Sequence, residues 1–309
     1  MNILILGASG FIGTNLAIAL SRNKDNNLTL ADAHLEYFKP IVEAGVQCQI
    51  VQLDFFSRPD LDSVVRNQDI VYHLSSSNIP TTSNRSVSEE ITVNVQSTLN
   101  LLDSCVREKV KKVIFISSGG TVYGKQFECP LSEDTATYPI TSYGLQKITI
   151  EKMLYLYEYT YGLDYRVLRL SNPYGPYQRP NGKLGAVTTF TYKAINGYGI
   201  EVYGDGSVVR DYIYIDDAIE AVINIAEKET KYKTYNVGSG KGKSINEIIE
   251  LISKALSINP SVIYKDARKV DVPINYLDVS RYENEFGKLS KMDFIEGVKK
   301  TAEFLREKY

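Results

Sequence analysis

Short apolar runs alternate with longer segments of mixed polarity through the first half of the chain. The apolar runs are Ile3–Leu6, Leu28–Ala31, Gln49–Leu53, Ile70–Leu74, Val113–Ile116 and Tyr165–Leu170. Their high content of Ile, Val and Leu is typical of strands that are covered on both faces. The segments between them that are compatible with helices are 11–22, 36–44, 86–109 and 142–161. This alternation predicts an α/β fold built on a doubly wound, parallel (Rossmann) sheet.

The pattern changes after Asn172, where a stretch dense in Pro and Gly predicts a loop. Beyond it we expect shorter elements: helices near 186–197, 217–228, 245–256 and 293–307, and strands at Glu201–Tyr203, Asp211–Ile215 and Tyr235–Val237. We therefore predict a Rossmann domain in residues 1–172 and a smaller C-terminal α/β lobe in residues 173–309, two parts that can exchange elements.

Composition excludes several classes of protein. The 309 residues are 43% hydrophobic and carry a net charge of −2, which argues for a folded core and against nucleic acid or an anionic membrane as the main partner. No apolar run approaches the roughly 20 residues of a membrane-spanning helix, and the N-terminus has no basic signal region. Three cysteines without a CxxC motif and two distant histidines offer no metal site, so we expect a cytoplasmic protein without a metal.

A glycine-rich motif joins the first predicted strand to the first predicted helix. It reads Gly7-Ala8-Ser9-Gly10-Phe11-Ile12-Gly13. Glycines here permit a tight turn, a close approach of the backbone to a pyrophosphate and close packing of helix on strand. The N–H groups of the helix N-terminus then attract the phosphates. Because the motif lies between a strand and a helix, it predicts a dinucleotide site.

Acidic residues end the next two strands. Asp32 lies where a carboxylate can hold both ribose hydroxyls of NAD and would repel the 2′-phosphate of NADP. Asp54, after the third strand, lies where an acidic side chain can meet the adenine amino group. The alternative for both residues is a solvated strand end. The pattern favours NAD as the cofactor.

A Tyr–Lys pair with helical spacing follows in the second half of the predicted sheet. Tyr143 and Lys147 share one helix face, and a Lys ammonium beside a phenol lowers the phenol's pKa. Such a Tyr can exchange a proton with an alcohol near neutral pH. The preceding strand ends in Ser117-Ser118-Gly119-Gly120-Thr121-Val122-Tyr123-Gly124, whose hydroxyls face the ligand crevice or merely cap a turn.

These motifs together resemble a known family, the extended short-chain dehydrogenase/reductases, in the branch of NAD-dependent nucleotide-sugar epimerases and dehydratases. The resemblance covers almost the whole chain. Besides the motifs above, it includes the segments from Asn94 to Leu102, Leu168 to Pro176, Gly204 to Asp217 and Tyr235 to Gly240. It implies a Rossmann domain that binds NAD and a C-terminal lobe that binds a nucleotide-diphosphate sugar.

The resemblance implies roles for individual residues. It implies cofactor contacts from Gly7, Gly10, Phe11, Ile12, Gly13, Asp32, Asp54, Phe55, Leu74, Ser75, Ser76, Asn94, Tyr143 and Lys147. Tyr143 and Lys147 resemble the catalytic pair. The family often carries Ser or Thr at the position of Gly119, so here Ser118 is the expected catalytic hydroxyl, with Ser117 and Thr121 as alternatives. Substrate contacts are implied for Ser118, Asn172, Arg210, Tyr212, Arg268, Asp271 and Asn275.

The resemblance leaves the reaction open between two candidates. The first is inversion at C4 of a UDP-hexose or UDP-N-acetylhexosamine through a 4-keto intermediate, and the second is reduction of a nucleotide-linked 4-keto-6-deoxy sugar. The turn after Ser118 lacks Thr-Asp-Glu, which argues against dehydration. Asn275, smaller than an aromatic residue, suggests that an N-acetyl group is admitted at sugar C2. Surplus apolar residues on the helix at 142–161 suggest a homodimer.

Overall fold

Thirteen strands are found in the residues that the computed structural model describes, namely 1–57, 59–78, 83–84, 86–180, 185–267 and 272–309. The strands are β1 (Asn2–Leu6), β2 (Asn27–Asp32), β3 (Cys48–Gln52), β4 (Ile70–His73), β5 (Lys112–Ser118), β6 (Asp164–Leu170), β7 (Asn172–Tyr174), β8 (Ile200–Tyr203), β9 (Val209–Tyr214), β10 (Thr234–Val237), β11 (Gly242–Ser244), β12 (Val262–Lys265) and β13 (Ile274–Asn275).

The helices lie mostly between these strands. They are α1 (Phe11–Leu20), α2 (Lys39–Glu43), α3 (Asp62–Val65), α4 (Val87–Arg107), α5 (Ser142–Tyr161), α6 (Ala186–Ile195), α7 (Ile215–Glu227), α8 (Ile245–Leu256), α9 (Ser280–Phe286) and α10 (Phe294–Lys308). A 3-10 turn, Leu35–Phe38, precedes α2. No helix in the described parts of the chain is both long and apolar enough to cross a membrane.

Seven strands form the central parallel sheet, in the order β10-β6-β5-β4-β1-β2-β3. The order reverses between β1 and β4, which are neighbours in the sheet although two strands separate them in the chain. At such a reversal the connections leave the two carboxyl ends in opposite directions, and a crevice opens between them. The sheet confirms the predicted doubly wound α/β fold.

Alternate side chains of each central strand point to opposite faces of the sheet. In β1, Ile3 and Ile5 are completely buried among side chains of α1 and α7. Leu4 and Leu6, from the same strand, pack with side chains of α4 and α5. Because both faces are covered, the strand is apolar at nearly every position, which explains the continuous apolar runs of the sequence.

The smaller lobe is built around β9. This strand pairs with β7, β11 and β13, while β8 pairs with β12 and helices α6, α8 and α10 pack against one another. β7 begins at Asn172, where the sequence predicted a loop. Conversely, β10 and α7 come from the C-terminal half but join the central sheet and its helical layer. The two parts of the chain thus exchange elements.

One predicted helix is divided in the structure. The segment 36–44 contains the 3-10 turn followed by the five-residue α2. Pro40 lies in the first turn of α2, where its missing N–H leaves no hydrogen bond unmade. A proline further inside a continuous helix would break its hydrogen-bond ladder, so the helix begins anew at Lys39.

Candidate active site

The glycine-rich loop occupies the crevice at the carboxyl end of β1. A Cβ atom added at Gly13 would lie 2.4 Å from the Gly7 carbonyl oxygen and 2.7 Å from the Ala8 Cα, so only glycine lets α1 pack this closely on the loop. No side chain caps the N-terminus of α1 at Gly10. The first N–H groups of the helix therefore remain available to an anion such as a pyrophosphate.

Asp32 stands beside this loop at the end of β2. Its Oδ2 accepts a hydrogen bond from the Ser9 N–H at 3.1 Å, and its Oδ1 accepts one from the Ala33 N–H at 2.8 Å. The carboxylate is only half-buried and retains lone pairs for further donors. It is therefore placed where a ribose next to the pyrophosphate would present its hydroxyls.

A single cavity of about 390 Å³ links the glycine-rich loop to the predicted catalytic residues. Its lining includes Gly7, Gly10, Phe11, Ile12, Gly13, Leu74, Ser76, Asn78, Ile116, Ser117, Ser118, Tyr143, Lys147, Asn172 and Gln178. The fold thus brings predicted cofactor residues and predicted catalytic residues to the same cavity. The glycines at one end of the cavity, which lack side chains, and the uncapped N-terminus of α1 fit a dinucleotide.

Lys147 is held rigidly between β5 and α5. Its Nζ donates to the Ile116 carbonyl oxygen at 2.9 Å and lies 5.4 Å from the centre of the Tyr143 ring and 4.7 Å from that of Phe115. Helix α5 starts one residue before Tyr143, because the Thr141 side chain accepts a hydrogen bond from the Gly144 N–H and caps the helix. The cap thereby fixes where Tyr143 enters the cavity.

Burial controls the protonation of this pair. It raises the pKa of the Tyr143 phenol to about 12. It also lowers the pKa of the Lys147 ammonium to about 8, although the nearby Glu151 carboxylate acts in the opposite direction. Desolvation is the cause of the raised phenol pKa, and the expected lowering of that pKa by Lys147 stays a prediction.

The three hydroxyls at the end of β5 and in the turn after it have different surroundings. Ser117 borders the cavity, but its Oγ donates to Glu151 Oε1 at 2.5 Å. The Thr121 Oγ1 is buried without a partner among the described residues and does not line the cavity. Ser118 lines the cavity next to Tyr143. Of the three, Ser118 is the hydroxyl best placed to meet a ligand.

Several predicted cofactor residues lie next to the cavity without lining it. The Asn94 amide is used by the protein, since its Nδ2 donates to Ser77 Oγ and the Glu90 carbonyl and its Oδ1 accepts from the Ser77 N–H. Asn94 thus fixes the loop after β4. Ser75 approaches the glycine loop, and its N–H would lie 3.0 Å from a Cβ at Gly7.

The residues after β3 differ in exposure. Asp54 is exposed, and its Oδ1 accepts a hydrogen bond from the Phe56 N–H in a local turn. Phe55 is buried and packs its ring against His73. His73 is itself a core residue, because burial lowers its pKa to about 3 and its Nε2 bonds Thr98. Phe55 therefore packs against β4, and the Asp54 carboxylate remains accessible to a ligand.

The predicted substrate residues are only partly brought to the cavity. Asn172 lines it, and its Nδ2 donates to the Asp211 carbonyl at 2.8 Å. Arg210 lies outside the cavity, and its Nη1 donates to the Val209 and Val272 carbonyls. Arg268 and Asp271 lie outside the described residues.

Two further predicted substrate residues lie away from the Tyr143 cavity. Tyr212 is buried and lines a different cavity, of about 500 Å³, together with Tyr174 and Tyr214, because it alternates in β9 with Asp211, which points to the opposite face. Asn275 is only 2% exposed and does not line the Tyr143 cavity. Its Nδ2 donates to the Gly119 carbonyl at 3.3 Å, so it stabilises the turn that follows Ser118.

Several residues at the site were not predicted from the sequence, among them two polar lining residues and one buried carboxylate. Asn78 and Gln178 line the cavity from loops whose local sequence gives no signal. Glu151 is buried in α5, where its carboxylate pairs with Arg169. A signal for Glu151 did exist, because it lies four residues after Lys147 and therefore on the same helix face.

The parallel sheet, the glycine-rich loop and the Tyr–Lys pair on one helix define an extended short-chain dehydrogenase/reductase. Within that class the chain belongs to the NAD dependent epimerase/dehydratase family, whose profile matches residues 3–238.

Three known proteins illustrate the similarity. The chain is 30% identical to the UDP-glucose 4-epimerase of Mycolicibacterium smegmatis, over 100% of this chain and 99% of that protein. It shares its fold with the UDP-glucose 4-epimerase of Thermotoga maritima, crystallised with UDP-glucose (TM-score 0.91, 29% identity, 99% of both chains). It also resembles the UDP-N-acetylglucosamine 4-epimerase of Methanobrevibacter ruminantium in complex with UDP-N-acetylmuramic acid (TM-score 0.90, 30% identity, 100% of this chain and 99% of that one).

The packing of Gly13 yields a first prediction. Gly13→Ala places a methyl group 2.4 Å from the Gly7 carbonyl, so α1 must move away from the loop. We expect affinity for NAD to fall by about tenfold or more, because the phosphates lose their alignment with the helix N-terminus. Calorimetric titration with NAD measures the change. Gly199→Ala is the control, since its methyl group meets only the flexible end of Ile263; equal affinities in both variants would contradict the prediction.

Proposed function

We propose that this protein is an NAD-dependent 4-epimerase of UDP-hexoses or UDP-N-acetylhexosamines. The observation that carries the proposal is the single cavity that joins the glycine-rich loop to Ser118, Tyr143 and Lys147. A dinucleotide whose pyrophosphate lies at the loop can bring its nicotinamide to the Tyr–Lys pair at the other end. The related UDP-sugar 4-epimerases support this choice of reaction.

Tyr143 takes the proton of the sugar 4-hydroxyl and returns it after the sugar has presented its other face. NAD, when bound, would accept and return the C4 hydride and, in its oxidised form, would add a positive charge to the site. That charge would favour the phenolate and so oppose the effect of burial, which raises the Tyr143 pKa to about 12. The Lys147 ammonium adds to it and can also bond the nicotinamide ribose. Ser118 donates a hydrogen bond to the 4-oxygen and orients the sugar.

The two ends of the cavity bind different ligands, the cofactor at one end and the substrate at the other. Asp32 beside the loop binds the adenosine ribose and favours NAD over NADP. Asn172 lines the cavity and begins β7, which belongs to the smaller lobe. We expect Arg210 and Arg268 to bind the diphosphate of the substrate. Arginine suits this role because its planar fork of donors matches phosphate oxygens.

The working form that we propose is a cytoplasmic homodimer. The free thiols Cys48, Cys105 and Cys129 suit a reducing compartment. On α5, the side chains of Tyr155, Leu156 and Tyr159 are 58%, 54% and 82% exposed. Three large side chains so close together on a surface helix form an apolar patch that a second copy of α5 and α4 would cover.

The reaction is tested by supplying UDP-glucose, UDP-N-acetylglucosamine, UDP-glucuronate and dTDP-sugars without a reductant and identifying the products by NMR. We expect redox-neutral inversion at C4 of at least one UDP-sugar. Turnover only of a 4-keto sugar, at the expense of added NAD(P)H, would instead identify a reductase. The ratio of rates for UDP-N-acetylglucosamine and UDP-glucose reports whether the C2 substituent is admitted.

The proton transfer gives a second prediction. Tyr143→Phe keeps the ring but removes the hydroxyl, so kcat falls on the order of 10²–10⁴-fold while NAD remains bound. Ser118→Ala costs less, because it removes one hydrogen bond and no proton transfer. Tyr138→Phe is the matched control, since Tyr138 is 70% exposed and outside the cavity. Activity of Tyr143→Phe within a few fold of wild type removes Tyr143 from the mechanism.

The exposed side chains of α5 give a third prediction. Tyr159→Glu introduces a charge into the proposed interface and converts the dimer into a monomer, as measured by light scattering at micromolar concentration. Tyr198→Glu is the control, because Tyr198 is also an exposed tyrosine (55%) but lies after α6 in the smaller lobe. A monomeric wild-type protein, or a dimeric Tyr159→Glu variant, contradicts the proposed interface.

A further inference from the structure

A buried carboxylate lies one helical turn beyond Lys147. Glu151 accepts hydrogen bonds from Ser117 Oγ at 2.5 Å, from Arg169 Nη2 at 2.7 Å and from Arg169 Nε at 3.2 Å. The side chains of Glu151 and Arg169 are only 6% and 8% exposed. Glu151 therefore joins three elements that shape the cavity: helix α5, the end of β5 and the neighbouring strand β6.

Arg169 is fixed from its other side as well. It lies opposite Ser117 in the parallel register of β5 and β6. Its Nη1 donates to the Tyr123 hydroxyl and to the Glu133 carbonyl, both at 3.1 Å. The Tyr123 hydroxyl in turn donates to Asn236 Oδ1 at 2.6 Å. The guanidinium thus has partners on every side, and it holds the Glu151 carboxylate in one position.

We propose that Glu151 is a positioning residue of the catalytic centre, which anchors the Ser117–Ser118 end of β5 to α5 and places a carboxylate one helical turn from Lys147. The proposal rests on the proposed function, in which Ser118 and Lys147 act on the sugar and on the tyrosine. Glu151 itself touches neither substrate nor cofactor, since it does not line the cavity.

Glu151 can anchor Ser118 because Ser117, which it binds, is the preceding residue. Ser117 and Ser118 are consecutive at the end of β5, so the bond from Ser117 to Glu151 fixes the backbone that carries Ser118. Ser118 then lines the cavity beside Tyr143. The other bonds that hold this segment are backbone hydrogen bonds, such as that from the Gly119 N–H to the Leu170 carbonyl, and the bond from Asn275 Nδ2 to the Gly119 carbonyl. A loose turn places the Ser118 hydroxyl less accurately.

The effect on charge follows from the groups around Lys147. Tyr143 and Glu151 face it from α5, His73 from β4 and Arg169 from β6, behind Glu151. His73 is neutral, because burial lowers its pKa to about 3. Burial also lowers the pKa of Lys147 to about 8, and Glu151 is the carboxylate that opposes this shift. Lys147 is charged below its pKa, so removal of the Glu151 charge causes Lys147 to lose its proton at a lower pH.

Glu151→Gln tests the proposal, because glutamine keeps the shape and an acceptor oxygen but lacks the charge. We expect the alkaline limb of the kcat–pH profile to move down by roughly 0.5–1 pH unit, with KM little changed. Glu158→Gln is the matched control, since Glu158 lies on the same helix and pairs with Lys233, far from Lys147. Its profile should coincide with that of wild type.

A second readout does not depend on catalysis. Lysine labelled with ¹³C at Cε reports the titration of Lys147 by NMR, and the signal is assigned by its loss in Lys147→Met. We expect the midpoint of that titration to be lower in Glu151→Gln than in wild type and unchanged in Glu158→Gln. If the panel of UDP-sugars shows no inversion at C4, the proposed function fails, but this titration still decides the role of Glu151.

Two further variants guard against a failure to fold. Glu151→Gln leaves the Arg169 cation without its carboxylate, whereas Glu151→Met with Arg169→Met removes both charges at similar volume. Ser117→Ala removes the anchoring bond but keeps the Glu151 charge, and we expect it to lower kcat about threefold to tenfold without moving the alkaline limb. Unchanged kcat in Ser117→Ala, or an unchanged Lys147 midpoint in the folded variants that lack the Glu151 charge, overturns the proposal.

Discussion

The reversal of strand order between β1 and β4 is the constraint on which the rest of the site depends. Parallel strands need crossover helices, and at the reversal these helices leave the sheet on opposite faces. The carboxyl ends of the two strands are therefore uncovered, and the glycine-rich loop and the loop after His73 border the gap. Strand β5, on the far side of β4, then brings Ser118 and, through α5, Tyr143 to the same opening.

Inside this opening, desolvation competes with charge. Lys147 is buried, its Nζ is bound to one backbone carbonyl, and burial lowers its pKa to about 8. The same desolvation raises the pKa of Tyr143 to about 12. With these pKa values, the Tyr143 phenol and the Lys147 ammonium are both protonated at neutral pH. A positive charge supplied by a bound cofactor would favour the phenolate over the neutral phenol.

The sequence was sufficient to predict those parts of the site that local spacing determines. Gly7 to Gly13 and the Tyr143–Lys147 pair each lie within one strand–helix unit, and both line the cavity. The direction of the Tyr143 pKa could not be predicted, because desolvation depends on what packs above the ring. The Glu151–Arg169 pair joins a helix to a strand 18 residues later, and such pairing follows from tertiary register rather than local pattern.

Gly119 shows how a departure from the family pattern is accommodated by the fold. A Cβ at this position would lie 2.6 Å from Leu277 Cδ1 and 3.0 Å from the Arg169 carbonyl, so a serine here would collide with the core rather than enter the cavity. Asn275 bonds the Gly119 carbonyl from the same segment. The strand β13 and the residues after it therefore press directly on the catalytic turn. The position of the turn after Ser118 therefore depends on the packing of Leu277 and Asn275 as well as on β5 itself.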